Sequence, residues 1–136
     1  SGNIRKRVEK MIPKFRAYSV EENIMYYPDE DKNVEWTIDD DTGFIAPLIN
    51  LENGMWGMID KYVLMQSTGL KDKNGVEFFE GDIGWDDHQE VHGQVIFENG
   101  AFKYEWENIS EDLFEATDDI EIVGNIHENP ELLEGN

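Results

Sequence analysis

Three features of the sequence predict a mainly β fold. From Lys14 onward, short apolar runs are cut by turn residues about every eight to twelve positions. In the second half the apolar residues recur with period two, and Asn99-Gly100 supplies a hairpin turn whose central residues must tolerate positive φ. No long stretch carries apolar residues at helical spacing. The 136 residues include four Trp, five Tyr and seven Phe, enough bulk for one folded core despite a formal net charge of −20.

Taken in order, Phe15 to Val20 reads as a first strand. Ile24 to Tyr27 and Val34 to Ile38 read as a hairpin around Pro28-Asp29-Glu30-Asp31-Lys32-Asn33, closed by Asp39-Asp40-Asp41-Thr42-Gly43. Phe44 to Leu51 can extend, although Pro47 confines it to an edge or a bent strand. Glu52 to Gly57 holds two glycines around Met55 and Trp56 and reads as loop or one short turn. Tyr62 to Gln66 is apolar enough for a buried strand.

The second half is better specified. In Glu80-Gly81-Asp82-Ile83-Gly84-Trp85, alternation places Ile83 and Trp85 on one face, with Asp82 and Gly84 on the other. Val91, Gly93, Val95 and Phe97 share a face of the next strand. Phe102, Tyr104 and Trp106 follow on one face after the turn, with Lys103, Glu105 and Glu107 opposite. Three antiparallel strands are therefore expected, with Trp85, Phe97, Phe102, Tyr104 and Trp106 forming an aromatic face that serves as core. A peptide or base platform is the competing reading. Ser110 is placed to cap a helical turn through Phe114, with Glu111 and Asp112 near its start. Ile120, Ile122 and Ile126 form a last strand, and Asn129-Pro130-Glu131-Leu132-Leu133 a short docked helical turn with Pro130 at its first position. A strand opened by Gly-Asp, a bent hairpin, an Asn-Gly hairpin and a closing strand together spell a small SH3-like barrel, with Gly81, Gly84 and Gly93 at the bends. The organisation expected is a basic segment over 1–13 and one β domain over 14–136. Within that domain, an N-terminal β region, 14–66, packs on the barrel, 67–136.

Charge is unevenly placed. Arg5, Lys6, Arg7, Lys10, Lys14 and Arg16 stand beside the single acid Glu9, a net +5 over the first 16 residues; five bases against 30 acids leave −25 on the rest. Met11 reads as a natural start and Ser1-Gly2 as a cloning remnant, so the 1–13 segment is expected to be flexible or in part not native. A body of this sign repels nucleic acid and steers basic partners instead. No apolar run nears the ~18 residues of a membrane span and no signal-peptide core is visible, so the expected compartment is the cytoplasm.

Several chemistries lack their parts. There is no Cys, which removes disulfides, thiolate metal sites and a cysteine nucleophile. Ser1, Ser19, Ser67 and Ser110 lie in no Gly-x-Ser-x-Gly turn, and no phosphate-binding glycine loop is present. Asp29-x-Asp31-x-Asn33 begins like a calcium loop with Asp40 at its twelfth position, but Val34 stands where glycine is required. His88 and His92, near Asp86, Asp87 and Glu90, fall on a strand connection rather than on one helix face, and His127 reads as a surface residue. No catalytic residue, metal site or cofactor is expected, and the chain is read as no enzyme.

Three stretches together resemble a known family. They are Lys14-Phe15-Arg16-Ala17-Tyr18, the run from Leu64 through Thr68-Gly69-Leu70-Lys71-Asp72-Lys73-Asn74-Gly75 to Glu80-Gly81-Asp82-Ile83, and Ile120 through Gly124-Asn125 to Asn129-Pro130-Glu131-Leu132-Leu133. In order and spacing they are similar to the YopX family of small phage and prophage proteins. The resemblance implies an SH3-like barrel in a mainly β chain acting inside a bacterial host, and it assigns no activity. Its motif positions are Gly69, Leu70, Asp72, Asn74, Gly75, Glu80, Gly81, Asp82, Gly124, Asn129 and Pro130. Physically these are structural: Thr68-Gly69 ends a strand, Asp72 to Gly75 is a tight turn with Gly75 at positive φ, and Glu80-Gly81-Asp82 bends the chain. Glu80 and Asp82 are expected at the surface, available for another role. The function expected is a non-enzymatic accessory protein that binds another protein, of basic surface, through its acidic face or an exposed sheet edge. An acidic mimic of nucleic acid inhibiting a DNA-handling enzyme, and a self-assembling structural module forming homo-oligomers, are the alternatives.

Overall fold

Strands dominate wherever β-branched and aromatic residues alternate with polar ones, as the pattern requires. The computed structural model describes residues 14–38, 43, 45–51, 53–59 and 61–134. The basic segment expected over 1–13 and the Asp39-Asp40-Asp41 run lie outside the described residues. The chain divides into two compact units, Ser1–Gln66 and Ser67–Asn136.

In the first unit, β1 (Phe15–Ser19) pairs antiparallel with β2 (Ile24–Tyr26) and with the first half of β6 (Tyr62–Lys71). A second, three-stranded sheet has the order β3 (Val34–Ile38), β4 (Ile45–Asn50), β5 (Trp56–Met58). The hairpin expected between Ile24–Tyr27 and Val34–Ile38 does not form, because β2 is claimed by β1. Four residues suffice to turn between them: Asn23 takes φ 57° and donates its N–H to the Ser19 carbonyl at 2.9 Å. The Glu22 N–H donates to the Ser19 hydroxyl, and the Tyr18 hydroxyl donates to the Asn23 side chain. Pro28 to Asn33 instead folds on itself, with Glu30 and Asp31 donating to the Tyr27 carbonyl.

Pro47 lies in the central strand of its sheet, contrary to the edge or bent strand its ring suggested. In an antiparallel strand a residue's N and C=O point to the same side, and the Pro47 carbonyl accepts from Ile59 on the β5 side. The missing N–H therefore also faces β5, beyond its last residue Met58, and no bond to β3 is lost. Trp56 and Gly57 belong to β5 rather than to a loop, and the turn before them closes through Leu51 N–H to the Met55 carbonyl at 2.7 Å. The strand expected over Tyr62 to Gln66 is longer and less buried, with Met65 its one buried member.

β6 carries the chain into the second unit, where Ser67 and Lys71 pair with Phe79 and Glu77 of β7 (Glu77–Phe79). Gly69 does not end β6. At φ +77° it makes a bulge between Ser67 and Lys71, and the strand resumes. There follow β8 (Asp82–Asp86), β9 (Val91–Glu98), β10 (Ala101–Trp106), β11 (Ile109–Asp112), helix α1 (Leu113–Ala116), a 3₁₀ turn (Thr117–Asp119), β12 (Ile120–Asn125) and helix α2 (Glu131–Glu134). Five strands form one antiparallel sheet in the order β11-β10-β9-β8-β12, curled as a half-barrel and compatible with an SH3-like barrel. Asn99 and Gly100, at φ 53° and 80°, make the expected hairpin. Ser110 caps no helix: it lies in β11 opposite Glu105, and α1 begins three residues later without a side-chain cap.

The core of this unit is Phe78, Val95, Tyr104, Leu113, Ala116 and Ile120, with Leu70, Phe102, Trp106 and Ile122 packed against it. β8 is covered on both faces: Ile83 is fully buried, as the alternation suggested, and the face carrying Gly84 is filled as well. Gly84 pairs with Gly93, and Tyr104 lies across both: a Cβ on Gly93 would sit 2.5–2.7 Å from Tyr104 ring and hydroxyl atoms, and one on Gly84 would meet Tyr104 and Ile120. These glycines therefore clear space for a ring and do not serve as left-handed bends. Trp85 is turned to the opposite face, against His92 with ring centroids 4.7 Å apart, while Phe97 is 53% exposed and meets Phe102 edge-on. The aromatic face is thus core at Tyr104, flanking at Phe102 and Trp106, and surface at Phe97.

Gly81 is the true bend. At φ +89° it donates its N–H to the Val95 carbonyl and accepts from Ile126, joining β9 to the residue after β12. Gly81→Val places a β-branched residue in the left-handed region and is expected to cost about 1–3 kcal/mol. A shift of several degrees in the thermal melt is the readout, and an unchanged melt would contradict this role.

Candidate functional site

The family-like positions resolve into backbone clips. Asp72 is 6% exposed, and its carboxylate accepts three backbone N–H groups: Asn74 and Val76 at 2.8 Å each on one oxygen, and Ile122 at 2.9 Å on the other. Lys73 N–H adds a bond to the Ile120 carbonyl at 3.0 Å, so the turn ending at Gly75 (φ +83°) is fastened along the outer edge of β12. Asp82 is buried, not exposed as expected, and accepts the Phe79 N–H at 2.7 Å, with Glu80 half-buried in the turn between them. Asp86 accepts His88 and Gln89 N–H groups after β8. A buried carboxylate needs such donors, and each of these finds them in the main chain.

The C-terminal motif makes a second clip. Asn125 accepts from His127 and Glu128 and donates to the Glu128 carboxylate. Asn129 reaches back to the Asn125 N–H at 3.2 Å rather than capping the helix with its side chain. Its side chain lies against Gly124, where a Cβ would come within 2.5 Å of it. Pro130 is exposed at the entry of α2 and accepts the Leu133 N–H. Sequence reasoning placed Tyr104 in the core but passed over its approach to Gly84 and Gly93, the role of Asn125 and the Asp72 bond to β12. An interior strand glycine is the signal that a close approach was needed.

No group of three His, Asp or Glu side chains able to hold a metal occurs among the described residues. His92 stacks on Trp85, and His88 lies 3.9 Å from Asp87, so the two imidazoles do not converge. His127 is half-buried rather than fully at the surface. Where the sequence begins like a calcium loop, Asp31 accepts the Asn33 N–H; Asp40 lies outside the described residues. Clefts are found among the described residues. One of about 470 Å³ is lined by Gly43, Ile45, Tyr62 and Leu64. Another, about 220 Å³, lies among His92, Gln94, Glu105, Trp106, Glu107 and Leu133.

Charge is the strongest surface feature. Residues 67–136 hold 19 acids against Lys71, Lys73 and Lys103, a net −16. Lys73 pairs with Asp87 at 3.4 Å, and Lys103 with Asp112 at 2.5 Å. Burial raises the pKa of Glu111, and the neighbouring carboxylates of Glu115, Asp119 and Asp86 raise it further. Burial, with the Asp86 charge, also pushes the Tyr104 hydroxyl upward.

Fold and surface together define a small, mainly β, strongly acidic protein built on clipped turns. The chain belongs to the YopX family, whose model, described as YopX protein, matches residues 14–134. It is similar to protein EF1440 from Enterococcus faecalis, known from a crystal structure, at 35% sequence identity and a TM-score of 0.63, covering 90% of this chain and 98% of that one. The comparison with curated proteins found no match. No helix among the described residues is long and apolar enough to cross a membrane.

Asp72→Ala leaves three backbone donors without their acceptor and is expected to cost about 3 kcal/mol, with Asp72→Asn less damaging; urea unfolding reads both. For Glu111, a folded pKa above the unfolded one means that the ionised carboxylate opposes folding, and the opposition fades as pH falls through the folded value. Glu111→Gln should therefore raise the melting temperature at neutral pH and lose that advantage near pH ~4. An advantage that grows on acidification would contradict the sign.

Proposed function

We propose that this chain is a non-enzymatic accessory protein, of phage or prophage origin, that acts in the bacterial cytoplasm by binding another protein through its acidic surface. The observation that carries the reading is the −16 on residues 67–136, where two of the three lysines are already paired with acids. The motif residues support it from the other side: Asp72, Asp82, Asn125 and Asn129 are spent on backbone hydrogen bonds. A field of one sign attracts a partner of opposite sign from a distance and is screened over about 10 Å at 0.1 M salt.

A binding experiment with the immobilised chain and a bacterial lysate, eluted in rising salt, tests this. Retained protein released at moderate salt is the expected result, since an acidic interface weakens as the Debye length shrinks. Retention indifferent to salt, or no retention, would contradict it.

A further inference from the structure

We propose that the outer edge of β11, with the adjoining α1, is the docking surface, and that its occupant is an extended basic protein segment carrying apolar side chains. The inference rests on the protein-binding reading above and gives it a place and a partner chemistry. β11 ends the five-stranded sheet and, among the described residues, pairs with β10 alone. Alternate residues of Ile109–Asp112 therefore turn their backbone N–H and C=O outward, which is a template for an added strand. The opposite end of the sheet is closed, since Asp72 and Lys73 occupy the outer edge of β12.

Two large apolar side chains at the open edge stand exposed. Ile109 is 50% exposed, and Phe114 at 75% is the most exposed large apolar residue among those described. An aromatic ring left in water beside a free strand edge is the usual anchor of an interface.

Charge selects the occupant. Glu107 to Asp119 contains Glu107, Glu111, Asp112, Glu115, Asp118 and Asp119 and no Lys or Arg. Lys103 of β10 pairs with Asp112, while Glu111, partly buried, feels the neighbouring charges of Glu115 and Asp119 from the same segment. Two copies of this edge brought together would set acid against acid, so the edge resists self-pairing and admits a strand of opposite sign.

The test uses the whole chain and three fluorescein-labelled octapeptides at low ionic strength: alternating Lys-Val, alternating Lys-Ser and alternating Glu-Val. Anisotropy gives affinities, and backbone amide shifts in the NMR spectrum give the location. Lys-Val is expected to bind about tenfold more tightly than Lys-Ser, Glu-Val not to bind, and shifts to cluster over residues 109–118. Phe114→Ser, harmless to folding because the ring is exposed, should abolish the preference for Lys-Val at an unchanged melting temperature. Glu115→Lys should weaken both basic peptides. Equal binding of the two basic peptides, or shifts confined to other residues, would overturn this surface while leaving acidic-surface binding intact. Failure of both basic peptides would overturn the surface and the function together. Shifts at β11 and α1 on concentrating the chain alone would assign the edge to a second copy and overturn the basic occupant.

Discussion

Tyr104 lying flat across Gly84 and Gly93 is the contact on which the second unit depends. The ring can reach the sheet because neither glycine presents a Cβ, and it then fills the concave side of the curled strands beside Phe78, Val95 and Ile120. Its hydroxyl is drawn inside, beside the Gly93 backbone and without a well-formed hydrogen bond among the described residues. Leaving such a group dry costs about 1–3 kcal/mol, so the packing it permits must outweigh that loss. Leu113 and Ala116 of α1 close over the same core, which ties the position of the acidic edge to the ring beneath it.

The acids divide into two populations with different physics. Asp72, Asp82 and Asp86 are buried, and their charge is met by main-chain N–H groups that fasten turns to neighbouring strands. Most others stand in water and add to a field that weakly opposes folding and strongly biases encounter. One composition thus serves both ends: a few carboxylates hold turns by hydrogen bonds, Asp72 also reaching Ile122 of β12, and the rest give the surface its charge.

Much of the fold was legible in the sequence. β9, the Asn99-Gly100 turn, β10 and the last strand follow from period-two alternation, and the family stretches stand where turns are clipped. Three errors have a common cause. The partner of β2, the central place of Pro47 and the filling of the glycine face of β8 all depend on which strand or side chain arrives from elsewhere, which local pattern does not encode. Alternation correctly separated Ile83, which is fully buried, and Trp85 from Gly84 but did not show that the glycine side is filled too, because a glycine face looks empty until a distant tyrosine is placed over it. Of the surface, the acid excess was plain from composition. The open edge at β11 was not, because Ser110 with Glu111 and Asp112 imitates a helix start.

The account stands or falls on the coupling between Tyr104 and Gly93. A double-mutant cycle in urea, with Gly93→Ala, Tyr104→Leu and both together, measures it directly. If the ring occupies the space a Cβ would need, Gly93→Ala costs about 2–3 kcal/mol beside tyrosine and markedly less once the ring is gone, a coupling of at least ~1 kcal/mol. Additive costs would contradict it, and with it the claim that this contact shapes the sheet and holds the acidic edge in place.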